Sequence, residues 1–228
     1  MFFMGKLYLV PTPIGNLEDI TFRAIKVLKN ADLILVEDSR RSSKLLSYYG
    51  INKPIKKYHS YNEHIKLNSF ISELKKEKSI VLITDAGTPS ISDPGFLLVR
   101  ESIKNEIEIE CLPGATAIIP ALVQSGLPSE RFVFEGFLPV RKGRKKRLEE
   151  LEQEKRTIII YESPHRIIKT LNDLLLFFSE NRMIAISREM TKIYQETYRG
   201  SIKQTLEHFK RQLPKGEFVI CISGKSYK

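Results

Sequence analysis

Ile80-Val81-Leu82-Ile83 runs straight into Thr84-Asp85-Ala86-Gly87-Thr88-Pro89-Ser90-Ile91-Ser92-Asp93-Pro94-Gly95, and this junction decides the fold. Four consecutive apolar residues leave no polar face, the pattern of a strand covered on both sides in a parallel sheet. The loop behind it is far longer than the ~2–6 residues that usually join a strand to a helix. Its small side chains let a ligand approach free backbone N–H and C=O groups, so it reads as a ligand-binding loop.

The same alternation continues outward. Residues 7–10, 33–36, 54–58 and 107–112 read as further strands. Residues 19–30, 41–49, 63–76, 96–103 and 115–124 read as helices between and after them. Strands alternating with amphipathic helices predict βαβ units, here a five-stranded parallel sheet. Ligands bind beyond the carboxyl ends of such strands. Attention therefore falls on the segments after Val10, Val36, Ile83 and Leu112.

Gly126-Leu127-Pro128-Ser129 reads as a joint, giving domains 1–127 and 128–228. The second half offers strands at 132–137, 157–161, 183–187, 196–198 and 218–222, with helices at 144–154 and 166–178. Two or three helices for five strands predict a mixed α/β sheet.

Composition narrows the classes. The 228 residues are 42% hydrophobic and 28% charged, enough apolar mass for a packed core. No apolar run reaches the ~18 residues of a spanning helix, and Met1-Phe2-Phe3-Met4-Gly5-Lys6 does not read as a signal peptide, so a cytoplasmic protein is expected, away from membranes. Thirty-seven Lys and Arg against 27 Asp and Glu give a formal charge of +10, which favours polyanionic or small anionic partners. Cys111 and Cys221 lack C-x-x-C spacing and read as buried, reduced thiols. The four histidines show no H-E-x-x-H pattern, so no metal is expected.

Several loops carry chemistry. Pro11-Thr12-Pro13-Ile14-Gly15-Asn16-Leu17 lacks the G-x-G-x-x-G of dinucleotide folds, which argues against NAD and FAD. Glu37-Asp38-Ser39-Arg40-Arg41-Ser42 follows the second strand. An N-cap at Ser39 accounts for the acidic entry, whereas Arg40 and Arg41 at the positive end of a helix point to a bound anion. Leu112-Pro113-Gly114-Ala115-Thr116-Ala117 can expose N–H groups to a carboxylate or phosphate, or be a plain turn. Arg141-Lys142-Gly143-Arg144-Lys145-Lys146-Arg147 places six cations in seven positions at a helix start, a costly arrangement that phosphate would relieve. Gly224-Lys225-Ser226 imitates a phosphate-loop end, but Val219 replaces the leading glycine and no helix can follow.

Together these segments resemble the tetrapyrrole-methylase superfamily of S-adenosylmethionine-dependent methyltransferases. They are more closely similar to the bacterial ribosomal RNA small subunit methyltransferase I family. Besides the loops above, the marks are Phe134-Glu135-Gly136-Phe137-Leu138-Pro139, Tyr161-Glu162-Ser163-Pro164-His165-Arg166 and Arg188-Glu189-Met190-Thr191-Lys192. Ser39 and Ser42 stand where threonine is common, keeping the hydroxyl. Many members continue past the last strand into a helical tail, whereas this chain stops at Lys228. If that tail aids RNA binding, the 141–147 run is the candidate to serve instead.

The resemblance implies a tetrapyrrole-methylase-like α/β fold, a parallel-sheet domain followed by a mixed-sheet domain with the cofactor cleft between them, and a homodimer. It implies 2′-O-methylation of a cytidine in the decoding region of 16S rRNA, with 16S rRNA or the 30S subunit as partner. Carried over, the S-adenosylmethionine contacts are Pro11, Ala86, Gly87, Thr88, Ile91, Ser92, Asp93, Ala115, Thr116 and Ala117. Such an enzyme must hold a ribose oxygen ~3–3.5 Å from the methyl carbon and give its proton to a base. The candidates are Glu37, Asp38, Glu162 and His165. Arg40, Arg41, Arg166 and the cations Arg141, Lys142, Arg144, Lys145, Lys146 and Arg147 are the candidate RNA contacts. Tyr161 or Phe137 is placed to stack on an extruded base. A methylase of a tetrapyrrole precursor, whose polycarboxylate substrate also suits a basic protein, and a non-catalytic RNA-binding protein are the alternatives.

Overall fold

A computed structural model describes residues 5–211 and 215–227. Contacts divide the chain into two compact units, Met1–Thr116 and Ala117–Lys228.

In the first unit the elements are β1 (Lys6–Leu9), α1 (Phe22–Asn30), β2 (Leu33–Val36), α2 (Ser39–Tyr48), β3 (Ile55–Lys57), α3 (Glu63–Lys75), β4 (Ile80–Leu82), α4 (Phe96–Lys104) and β5 (Glu108–Cys111). The sheet runs in the order β3-β2-β4-β1-β5 with every pair parallel, the five-stranded sheet expected. Its three inner strands β1, β2 and β4 are buried because each feeds two cores, whereas the edge strands β3 and β5 carry charged residues. Tyr8, Val10, Ile34, Val36, Val81 and Ile83 pack with Ala24, Val27, Leu28 and Leu46 on the α1–α2 face. Leu7, Leu9, Leu33, Leu35, Ile80 and Leu82 pack with Phe70, Leu74 and Leu98 on the α3–α4 face. The period-two alternation of strand side chains sorts them.

This order puts a switch point between β1 and β4. The chain leaves β1 for the α1 face and leaves β4 for the α4 face, so the reversal of direction falls between these two strands, where ligands of such sheets bind.

The second unit opens with α5 (Ile118–Ser125), which packs on β8 (Met183–Arg188), β9 (Glu196–Ser201) and β10 (Phe218–Ile222). The contact division thus precedes the joint read at Gly126, whose φ of +73° instead ends α5 as a left-handed C-cap. The remaining elements are β6 (Phe132–Phe137), α6 (Arg144–Glu152), β7 (Thr157–Glu162), α7 (Ile167–Phe177) and α8 (Ile202–Arg211). The sheet order is β6-β7-β10-β8-β9, with β6 and β7 parallel and the other pairs antiparallel, the mixed sheet expected. Helix α8, not named in the sequence reading, buries Ile202, Leu206 and Phe209 at helical spacing.

Three local expectations are corrected. Asp38, not Ser39, caps α2, its carboxylate accepting the Arg40 N–H at 2.9 Å. Helix α1 starts at Phe22, because Asn16 holds residues 17–19 in a 3-10 turn and Thr21 accepts the Ala24 N–H at 3.0 Å. Cys111 is exposed, since β5 is an edge strand with one open side, whereas Cys221 is buried in central β10.

Candidate functional site

The loops after β1 and β4 are tied together. Thr12 and Gly87 exchange backbone hydrogen bonds of 3.0 and 2.9 Å, and the Thr12 hydroxyl donates to the Thr84 carbonyl at 3.0 Å. Gly87 holds φ at +81°, where a side chain is strained. The loop after β5 comes just as close, since a Cβ on Gly114 would sit 2.8 Å from Pro11 Cβ.

Further along the β4 loop, Ser90 and Ser92 hold left-handed φ values of +72° and +61°. Each such residue costs on the order of 1–3 kcal/mol, a strain that gathers at ligand sites. The Ser90 Oγ and Thr84 Oγ1 atoms are buried without a hydrogen-bond partner, and Ile91 is exposed. Close backbone approach, unspent hydroxyls and an apolar rim are what a nucleoside ligand needs. The residues fit the contacts expected for S-adenosylmethionine at Pro11, Ala86-Gly87-Thr88 and Ile91-Ser92-Asp93. Ala115 and Thr116 end the first unit and Ala117 opens the second, so the third contact group lies at the chain crossover.

Beyond β2, neighbouring carboxylates are driven apart. Burial and the Asp85 charge raise the Glu37 carboxyl above the ordinary range, opposed by an N–H from Asp85 and by the nearby Arg41 and His59. Arg40, bonding through Nε and Nη2, holds Asp38 down at about 2. Asp85 ties this corner together, accepting the Asp38 N–H at 3.2 Å and lying 3.4 Å from Arg41 Nη1. Asp85 and His59 escaped the list of candidate bases. Their signal was position alone, at the carboxyl ends of β4 and β3.

In the second unit, Glu162 has a fully buried side chain. It accepts from the Ser163 N–H at 2.8 Å and the Thr170 hydroxyl at 2.6 Å, with Arg166 Nε at 3.2 Å. The same Thr170 oxygen accepts from Arg144 Nη2, while Arg144 Nε bonds Asp173 at 2.7 Å and Nη1 bonds the Pro139 carbonyl. Glu162 and Arg144 are thus committed to an internal network rather than open to substrate. Arg166 also reaches the Leu138 carbonyl, and His165 is exposed beside it.

The basic run therefore divides. Arg144 is buried, and Arg147 is engaged by Glu135 and Glu150. Lys145 makes only a 3.8 Å contact with Glu149. Arg141, Lys142 and Lys146 are exposed and form no ion pair among the described residues.

A bulge at Glu135 shifts the β6–β7 register between Phe134 and Gly136. The extra residue puts Phe137 on the same face as Phe134 and Tyr161, their rings 5.7 and 5.0 Å from Tyr161. Phe137 remains half exposed and, with Pro139 and Lys146, lines a hollow of about 410 Å³.

Among the described residues, no group of three or more His, Cys, Asp or Glu could hold a metal ion, and no helix is long and apolar enough to cross a membrane.

Residues 6–205 match the family model of tetrapyrrole (corrin/porphyrin) methylases. The ribosomal RNA small subunit methyltransferase I of Thermotoga maritima is 45% identical over 97% of this chain and all of its own length. Its Haemophilus influenzae counterpart is 49% identical over 97% of this chain and 79% of its own. Among solved structures, a cobalt precorrin-4 methyltransferase of cobalamin biosynthesis superposes with a TM-score of 0.68 at 18% identity, covering 96% of this chain and 95% of the other. A Thermus thermophilus uroporphyrin-III C-methyltransferase gives 0.67 at 20%, covering 97% and 94%. These two likenesses concern the fold.

Proposed function

The chain belongs to the tetrapyrrole methylases and, within them, to the ribosomal RNA small subunit methyltransferase I family, and on that premise we propose that it methylates the ribose 2′-oxygen of a cytidine in 16S rRNA. The observation that carries the chemistry is Glu37, a half-buried carboxyl with raised proton affinity at the mouth of a parallel sheet.

S-adenosylmethionine, when bound, supplies a methyl group already activated on a sulfonium centre. The residues to hold it are those of the β4 loop, Ala86 to Thr88 and Ile91 to Asp93, with Pro11 and Ala115 to Ala117. What remains for the protein is to orient the acceptor and take its proton. Glu37 is the base, because burial and Asp85 raise its affinity for a proton. Asp38 stays ionised under Arg40 and serves as the cap of α2. Arg41, two-thirds exposed on Asp85, is placed to meet a phosphate. In the second unit, Arg141, Lys142, Lys145 and Lys146 are the cations left to meet phosphates.

The test is the ribose-methylation map of 16S rRNA from a strain lacking this gene. One cytidine should lose its 2′-O-methyl group and regain it when the wild-type gene is restored. An unchanged map overturns the reading, and an altered tetrapyrrole pool in its place would favour the alternative substrate.

A further inference from the structure

The strand order β3-β2-β4-β1-β5 sorts the loops of the first unit. The loops expected to hold the methyl donor follow β4, β1 and β5, three adjacent strands. Glu37 and His59 follow β2 and β3, the two strands on the other side of β4. One half of the sheet mouth is thus left for the acceptor.

His59 carries an unspent hydrogen-bonding atom in that half. Its backbone N–H donates to Asn62 Oδ1 at 2.9 Å, while Asn62 Nδ2 donates to the Lys57 carbonyl at 3.3 Å. Two backbone groups thereby fix which end of the Asn62 amide is oxygen. The nitrogen end lies 3.1 Å from His59 Nε2 and can only donate, so Nε2 must accept. A neutral imidazole accepting at Nε2 carries its proton at Nδ1. That Nδ1 is buried and has no partner. An unmet buried donor is costly, on the order of 1–3 kcal/mol, so an acceptor is to be expected when the site is filled. His59 lies close enough to Glu37 to interact with it electrostatically. The surroundings are aromatic and carry charges of both signs: Arg41 lies on Asp85, Lys57 acts on Asp38, and the exposed Tyr61 ring stands 6.1 Å from the imidazole.

We infer that the His59 Nδ1–H is a donor reserved for a sugar–phosphate oxygen of the RNA acceptor, so that β2 and β3 carry an acceptor-binding subsite beside Glu37. The inference rests on the proposed RNA methylation and names the residue that orients its substrate. The donor loops need not change for it to act.

Two substitutions separate this role from a structural one. The amide of His59→Asn can overlay Nδ1 and keep the donor, while the amide of His59→Gln reaches the Nε2 position and keeps the Asn62 contact instead. With 30S subunits as substrate, His59→Gln should lower kcat/KM by about 10–100-fold, the worth of one such bond. His59→Asn should stay within about threefold of wild type. Calorimetric affinity for S-adenosylmethionine should be unchanged in both. In the wild-type protein, ¹⁵N NMR of the imidazole should show the Nδ1–H tautomer, a readout independent of how the variants fold. The reverse order of the two variants, equal activity in both, an Nε2–H tautomer, or a loss of donor affinity in place of RNA turnover each overturns the inference. A wild-type protein that leaves 16S rRNA unmethylated overturns the underlying reading as well, and is recognised before any variant is compared.

Discussion

Glu37 and Asp38 are adjacent in sequence and opposite in behaviour. Glu37→Gln should lower kcat by about 10²–10⁴-fold, the usual worth of a positioned base. Wild-type activity should rise with pH through the elevated Glu37 pKa. Stability runs the other way. A carboxyl whose folded pKa is raised contributes stability that is full below its unfolded value and lost as pH climbs through the folded one. Glu37→Gln should therefore melt higher than wild type at neutral pH, with a flatter pH dependence. Asp38 is depressed, so its contribution is present above the unfolded value and fades only as pH falls towards about 2. Asparagine caps helices as well as aspartate does, so Asp38→Asn should keep near-normal turnover. The thiols give a second check at this scale. Burial pushes Cys221 up to about 12, so a thiol reagent at neutral pH should titrate Cys111 alone in the folded protein and both thiols in denaturant. Glu37 was legible as a carboxylate just beyond a strand. His59 was not, because its meaning depends on β3 lying beside β2 and on an amide three residues away.

Helix α6 shows what a charge run conceals. Seven residues advertise six cations, but the partners of two lie elsewhere: Arg144 answers Asp173 on α7, and Arg147 answers Glu135 in β6. No local pattern announces such pairings. Replacing Lys142, Lys145 and Lys146 together by Gln should weaken RNA binding and reduce its salt slope by about 1 per lost phosphate contact, with the melting temperature unchanged. Arg144→Met should instead destabilise by about 3 kcal/mol, since it leaves Asp173 and the Pro139 carbonyl short of their donor. Equilibrium unfolding beside a salt titration of binding separates the two. The bulge in β6 was equally hidden. Residues 132–137 read as a plain strand, and only pairing with β7 shows that Glu135 is supernumerary and that Phe137 joins the row of Tyr161.

Across the molecule, what the sequence disclosed was whatever the hydrophobic pattern controls. All-apolar runs at 33–36 and 80–83 announced a sheet covered on both faces, and loop chemistry marked its mouth. The order β3-β2-β4-β1-β5 follows from crossovers that no window of residues contains. The two units own separate cores: Leu35 lies in one and Ile220 in the other, both fully buried. Leu35→Ala and Ile220→Ala should each cost about 2–5 kcal/mol. The double variant should equal their sum within about 0.5 kcal/mol by denaturant titration, since the sites share no packing partner.

The reciprocal bonds between Thr12 and Gly87 bear on how a ligand arrives. With the two loops already stitched to each other, little of their chain has to be immobilised on entry, and the entropic cost of ordering them is small. Capture there should proceed in one kinetic phase, and its heat-capacity change should reflect the ligand's own dehydration rather than a folding transition.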